Sequence, residues 1–160
     1  MAATSGLGSM RNAIIAITIG YAGLAAIASA AEQAPPPDAA LANSGSAVYR
    51  QYCAACHGPH AEGGPNWQKR DAQGELPPPP HNSEGHTWRH SDADLYGMVS
   101  KGLRDPFNKT ERLTMPGFQE TLSPRQIVAV LTYLKTLWTP EERQFQFEES
   151  RGHPFPPDTR

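Results

Sequence analysis

Apolar residues fall into two kinds of pattern along this chain. From Asn12 to Ala31 they form part of an uncharged run of 20 residues. Beyond it they recur at three- and four-residue spacing in separate stretches, as expected of helices with one buried face. Between those stretches the chain is polar and rich in proline and glycine, which predicts loops.

The first helix is expected from about Ser44 to Cys53, with Asn43 or Ser44 as its cap. Gly45, Tyr49 and Cys53 are four apart and share one face. Gly45 lets another backbone come close there, and Tyr49 supplies aromatic bulk. A second helix opens at Ser91-Asp92-Ala93-Asp94, an N-cap followed by an acid three residues on. Leu95, Met98 and Val99 mark its buried face, and Gly102 ends it. The last long helix is the clearest. Ser123 caps it, Pro124 takes its first position, and Ile127, Leu131, Leu134 and Trp138 carry the apolar stripe. Thr139-Pro140-Glu141-Glu142 is a further start signal, predicting a short polar helix to about Glu149. The tail from Ser150, with Pro154, Pro156 and Pro157, is expected to be loose. The fold class is therefore mostly α, with long Pro/Gly-rich loops.

The N-terminal run has the features of an export signal. Arg11 is the sole charge before Glu32, isoleucines and leucines sit among alanines, and Ala28-Ser29-Ala30 fits a small-residue cleavage site. The rival reading is an uncleaved anchor, since 20 residues suffice to span a bilayer. Met10 is an alternative start to Met1, because residues 1–9 add nothing to a signal. The expected organisation is a signal peptide at 1–30, a flexible linker at 31–43, a folded domain at 44–138 and a polar extension at 139–160.

Composition narrows the classes. The 160 residues include 16 Pro and 14 Gly, so a single domain must build a small core under long loops. A net charge of −2 gives no basic footprint for nucleic acid. The membrane enters only if the N-terminal segment is retained.

The chemistry concentrates in Cys53-Ala54-Ala55-Cys56-His57, which holds both cysteines of the chain. A C-x-x-C-H run is a covalent haem attachment pattern. Two thiols three residues apart on one turn reach two vinyl groups of one porphyrin, and His57 then stands beneath the iron as a ligand. A structural zinc site would need a second ligand pair. A thioredoxin-like pair would need a βαβ setting. Neither is present in the sequence pattern.

Other residues are candidates for finishing the site. The glycines of Gly58 to Pro65 allow close approach to a porphyrin, and the Pro65 carbonyl is a candidate to accept the second N–H of His57. Pro77 to Pro80 force an extended segment. In the stretch that follows, Trp88 and Arg89 are candidates for propionate contacts. His81, His86 and His90 read first as ordinary loop histidines. Lys101, Arg104, Lys109 and Arg112, against Asp105 and Glu111, make a locally basic loop, read as solvated or as a docking rim. Met98 reads as core on a helix face. Met115 sits between Thr114 and Pro116-Gly117, in a stiff bend able to offer a thioether to the iron.

Taken together, the chain resembles the class I, mono-haem cytochrome c family of exported bacterial type. The resemblance covers about Ser44 to Trp138. It rests on Gly45, Tyr49 and Cys53-x-x-Cys56-His57-Gly58, on Met115-Pro116-Gly117-Phe118, and on the helix opening Leu122-Ser123-Pro124. It implies a helical fold wrapped round one haem c, first and last helices crossing, and His57 and Met115 as axial ligands. The long Pro-rich insert departs from the smallest members of the family. The implied function is periplasmic electron transfer, as a free carrier or a subunit of a larger oxidoreductase, with redox proteins as partners and no separate catalysis. Two other classes stand beside it. One is a haem enzyme or gas sensor with an open iron face, served by a distal histidine such as His81 or His86. The other is a binding module without haem.

Overall fold

A computed structural model describes residues 32–106, 110, 112 and 114–159, together with Met1 and Ala2. The chain divides into two units, 1–31 and 32–160, and only the second is treated below. The expected signal or anchor lies outside the described residues.

Among the described residues five α-helices follow in order: α1 (Ala39–Tyr52), α2 (Ala54–His57), α3 (Asp92–Lys101), α4 (Pro124–Lys135) and α5 (Pro140–Ser150). Short 3₁₀ turns occupy Thr87–Arg89 and Pro157–Thr159. Among the described residues the sole β feature is the antiparallel bridge between Leu103 and Met115. The fold is mostly α.

The first helix starts earlier than its sequence suggested. Asp38, not Asn43 or Ser44, is the cap, its carboxylate accepting the Leu41 N–H at 2.7 Å. The run Ala39-Ala40-Leu41-Ala42 is made of strong helix formers, so the helix propagates back to the first good cap. Ser44 lies inside it and donates to the Ala40 carbonyl at 3.2 Å. The expected flexible linker is ordered at its start too. Ala34 N donates to Gln144 Oε1 at 2.8 Å, and Arg151 pairs with Glu32 at 2.9 Å.

The structure is organised round the crossing of α1 and α4. Gly45 faces the Ala129 carbonyl so closely that a Cβ there would overlap it. Tyr49, Ile127, Val130, Leu131 and Leu134 are buried at this crossing, each contributing roughly 1.5–3 kcal/mol of transfer free energy. Tyr49 and Tyr133 meet at 5.4 Å between ring centroids. The cap of α4 is as expected: Ser123 and Gln126 form a reciprocal capping box with Pro124 at the first turn. Its end is not. The helix stops at Lys135, and Trp138 lies beyond it, buried, with its indole N–H given to the His81 carbonyl at 2.8 Å. That long-range hydrogen bond replaces a further helical turn.

The C-terminal part is not loose. α5 packs on α3 and on the Thr87–Arg89 turn. Buried Gln146 donates to Asp92 Oδ1 at 2.7 Å and to the His90 carbonyl at 3.3 Å. Ala93 N donates to the His153 carbonyl at 3.0 Å, Asp92 pairs with Lys135 at 2.6 Å, and Phe155 packs against the core. Prolines in the tail fix its direction while these bonds anchor it.

Candidate functional site

α1 delivers the two cysteines. Its last N–H bond, Cys53 to Tyr49 at 2.9 Å, is followed by a single turn in which Cys56 N and His57 N both donate to the Cys53 carbonyl, at 3.1 and 3.0 Å. Tyr49, fully buried, donates its hydroxyl to the Gly58 carbonyl at 2.8 Å. Burial pushes its phenol well above the usual value. The turn is thus tied at both ends. Both cysteines are free thiols. Burial, and then the neighbouring Cys56, pushes the Cys53 thiol up to about 11, the reverse of what a nucleophilic thiolate requires.

His57 is only 7% exposed. Its Nδ1 lies 2.9 Å from the carbonyl of Pro79. A carbonyl only accepts, so Nδ1 carries the proton and Nε2 keeps a lone pair. Burial lowers the pKa of the ring, opposed by that hydrogen bond. The orienting carbonyl is therefore not that of Pro65, which is exposed. The reason lies in the Pro77–Pro80 segment. Prolines have no N–H to bond their own carbonyls, and the segment is zipped against residues 61–64. Gly64 N donates to Pro78 O at 2.8 Å and His81 N to Ala61 O at 2.8 Å.

His81 lies beside His57. The ring centroids are 4.0 Å apart and tilted 33°. His81 Nδ1 is 2.8 Å from Thr87 Oγ1, and Thr87 Oγ1 is 3.4 Å from the Pro80 carbonyl. Burial, then the neighbouring His57 and His86, holds His81 well below its usual pKa. Packed on His57, His81 is not a distal histidine facing it across an iron.

Met115 is held by backbone on two sides. It exchanges both hydrogen bonds with Leu103, at 2.9 and 3.1 Å. Gly102, at φ +83°, ends α3 where a Cβ would lie 2.6 Å from the Met115 carbonyl. Phe118 N and Gln119 N then bond the last carbonyls of α3, at 3.0 and 3.1 Å. A side-chain clasp fixes the approach to Met115. The fully buried Glu75 carboxylate accepts from Thr110 N at 2.9 Å and from the Thr110 hydroxyl, and pairs with Arg112 at 3.1 Å. Arg112 also pairs with Asp71, whose carboxyl is held low, first by the Glu75 N–H and then by Arg112. Arg112 of the expected basic rim is thus engaged internally, Asp105 pairs with Arg70 at 3.4 Å, and Lys109 and Glu111 lie outside the described residues.

These elements enclose one cavity of about 350 Å³. Cys53, Cys56, His57 and Met115 all line it, with His81 and Arg112. The remaining wall is largely apolar, from residues such as Leu95, Val99, Phe118 and Leu131. Met98 also lines it while packing on the core. Two buried donors find no hydrogen-bond partner among the described residues: Thr114 Oγ1, whose residue lines the cavity, and Trp88 Nε1. An apolar cavity, a His57 Nε2 with a lone pair and the orphaned Thr114 hydroxyl suit a porphyrin with carboxylate substituents.

The other expected propionate contact is placed differently. Arg89 is exposed and stacks its guanidinium 4.8 Å over the Trp88 ring. Neither Trp88 nor Arg89 forms part of the cavity wall, whereas Thr87, His86 and His90 do. Among the described residues no group of three or more His, Cys, Asp or Glu side chains is placed to hold a separate metal ion. The Pro79 carbonyl, the His81 stack and the Glu75 clasp were not foreseen from sequence. Only the density of prolines and histidines between 77 and 90 marked their neighbourhood.

Comparison with known proteins adds a family. The model of cytochrome C oxidase, cbb3-type, subunit III, matches residues 40–134. The chain belongs to this family. A cbb3-type cytochrome c oxidase subunit CcoP of Rhodobacter capsulatus is 34% identical over 98 residues, 58% of this chain and 29% of that protein. The FixP subunit of Sinorhizobium medicae (strain WSM419) is 26% identical over 96 residues, 59% and 29% respectively. The chain thus spans about three tenths of the length of these relatives. No solved structure matches it significantly. Family membership makes this a c-type cytochrome domain with covalently bound haem c. The matched segment runs from the start of α1 to the end of α4, so α5 and its contacts lie beyond it.

Proposed function

We propose that this domain carries one haem c, joined through thioethers at Cys53 and Cys56, with His57 and Met115 as its axial ligands. It passes electrons in the periplasm, as a carrier or as the electron-transfer part of a larger oxidoreductase. The cbb3-type oxidase subunits among its relatives favour the second form. The haem supplies a one-electron couple whose potential the protein tunes.

The residues supply the rest. Pro79 fixes the His57 tautomer and aims Nε2 as a ligand. The Leu103 bridge and the Glu75 clasp hold the Met115 segment, so its thioether closes the second axial position. The apolar wall excludes water and limits reorganisation on electron transfer. Thr114 offers its unpaired hydroxyl to a propionate. With both axial positions filled, the domain carries electrons and performs no separate catalysis. The observation that carries the reading is His57, protonated at Nδ1 and bare at Nε2, in one cavity with Cys53, Cys56 and Met115.

Carbon monoxide tests it. The ferrous wild type and Met98→Ala should resist binding at neutral pH, while Met115→Ala should bind readily and show a lower reduction potential. Ready binding by the wild type, or equal behaviour of the two variants, would refute Met115 ligation.

A further inference from the structure

His81 is held at four points, more than packing alone asks of a loop residue. Its N–H donates to Ala61 O at 2.8 Å. Its carbonyl accepts the Trp138 indole at 2.8 Å. Its Nδ1 meets Thr87 Oγ1 at 2.8 Å, and its ring lies 4.0 Å from that of His57. Thr87 is itself buried, and its oxygen lies 3.4 Å from the Pro80 carbonyl.

The Thr87 hydroxyl has one proton and two acceptors in reach, His81 Nδ1 at 2.8 Å and the Pro80 carbonyl at 3.4 Å. Either way the contact pins the His81 ring against that of His57, on a wall of the same cavity. Two neighbouring imidazoles thus each have Nδ1 engaged by the 79–87 segment.

We infer that His81 is a positioning residue for the proximal ligand: its stacked ring fixes the plane of the His57 imidazole. The inference rests on His57 being the iron ligand. An apolar residue at 81 removes the stacked ring and frees the His57 ring to turn. Thr87→Val keeps the His81 ring but cuts its Nδ1 contact, so it acts in the same sense and more weakly.

The test uses the haem-loaded full chain and three proteins: wild type, His81→Leu and Thr87→Val. Redox titration and proton NMR of the ferric haem methyl groups, whose spread reports the orientation of the axial imidazole, are measured on each. His81→Leu should change the ferric-to-ferrous ratio at fixed ambient potential by about tenfold, comparable to the low end of what outer-shell partners do to metal affinity or activity. Thr87→Val should shift it the same way by less, and both should alter the methyl pattern. If His81→Leu does not acquire haem, the Thr87→Val result decides. Unchanged potential and methyl pattern in the variants that carry haem, even with lowered thermal stability, would make His81 structural only and overturn the inference. A wild type whose spectra show no histidine ligation would instead refute the His57 assignment beneath it.

Discussion

Single residues here act mostly through what they would leave unpaired. Glu75 is the sharpest case. Its carboxylate is wholly buried, and Thr110 and Arg112 hold it from the segment that leads to Met115. The outer end of this clasp is screened, because the Arg112 side chain is 48% exposed. The buried end carries the weight. Glu75→Gln keeps the shape and one acceptor but gives Arg112 no charge to meet. It should cost about 1–3 kcal/mol, read as a lower guanidinium unfolding midpoint of the ferric haem protein. It should also loosen Met115, so that added imidazole binds the ferric iron more tightly than in wild type. An unchanged imidazole affinity would detach the clasp from the ligand. Cys53, Cys56, His57 and Met115 were legible as candidates, because each is marked by its own neighbours in sequence. The partner of His57 was not. Pro65 and Pro79 are equally good acceptors on paper, and the choice depends on the 77–80 segment zipping against residues 61–64, a contact between distant parts of the chain.

Helices show the same division between local and distant causes. Ser91, Ser123 and Thr139 cap α3, α4 and α5, each accepting a hydrogen bond from the backbone three residues on. Such caps are readable because cause and effect lie within one turn. The end of α4 was misread because Trp138 continues the apolar spacing but leaves the helix for His81. Gly45 was read correctly as a point of close approach, and α1 meets α4 there without room for a Cβ. Gly45→Ala should therefore push the helices apart. It should cost about 3 kcal/mol, the upper end for overpacking, seen as a clear drop in the thermal midpoint of the haem protein. Stability equal to wild type would mean that the crossing is not tight.

At the scale of the whole molecule, the C-terminal segment completes the fold. Its polar composition suggested an appendage, yet Gln146, Ser150 and Phe155 hold α3 and the 86–90 turn that borders the cavity. Among the described residues no helix is long and apolar enough to cross a membrane. Burial also sets a pH dependence. His81 has a folded pKa well below the usual 6.5, through burial and then the neighbouring His57 and His86. From about pH 6.5 downward the unfolded chain binds protons that the folded protein refuses. Stability should be full above that range and fall as the solution is acidified. Further acid should add the loss of the depressed Asp71 and Glu62 carboxylates. Urea midpoints of the ferric protein at about pH 7.5 and about pH 5 check the sign, and a higher midpoint in acid would contradict it.

Whether the second face of the iron is closed by Met115 decides between carrying electrons and doing chemistry. The near-infrared spectrum of the oxidised wild-type protein asks this most directly. A sulfur-to-ferric-iron charge-transfer band, lost in Met115→Ala and kept in Met98→Ala, is the result expected. An oxidised haem protein without that band would contradict His57/Met115 ligation and the electron-transfer function built on it.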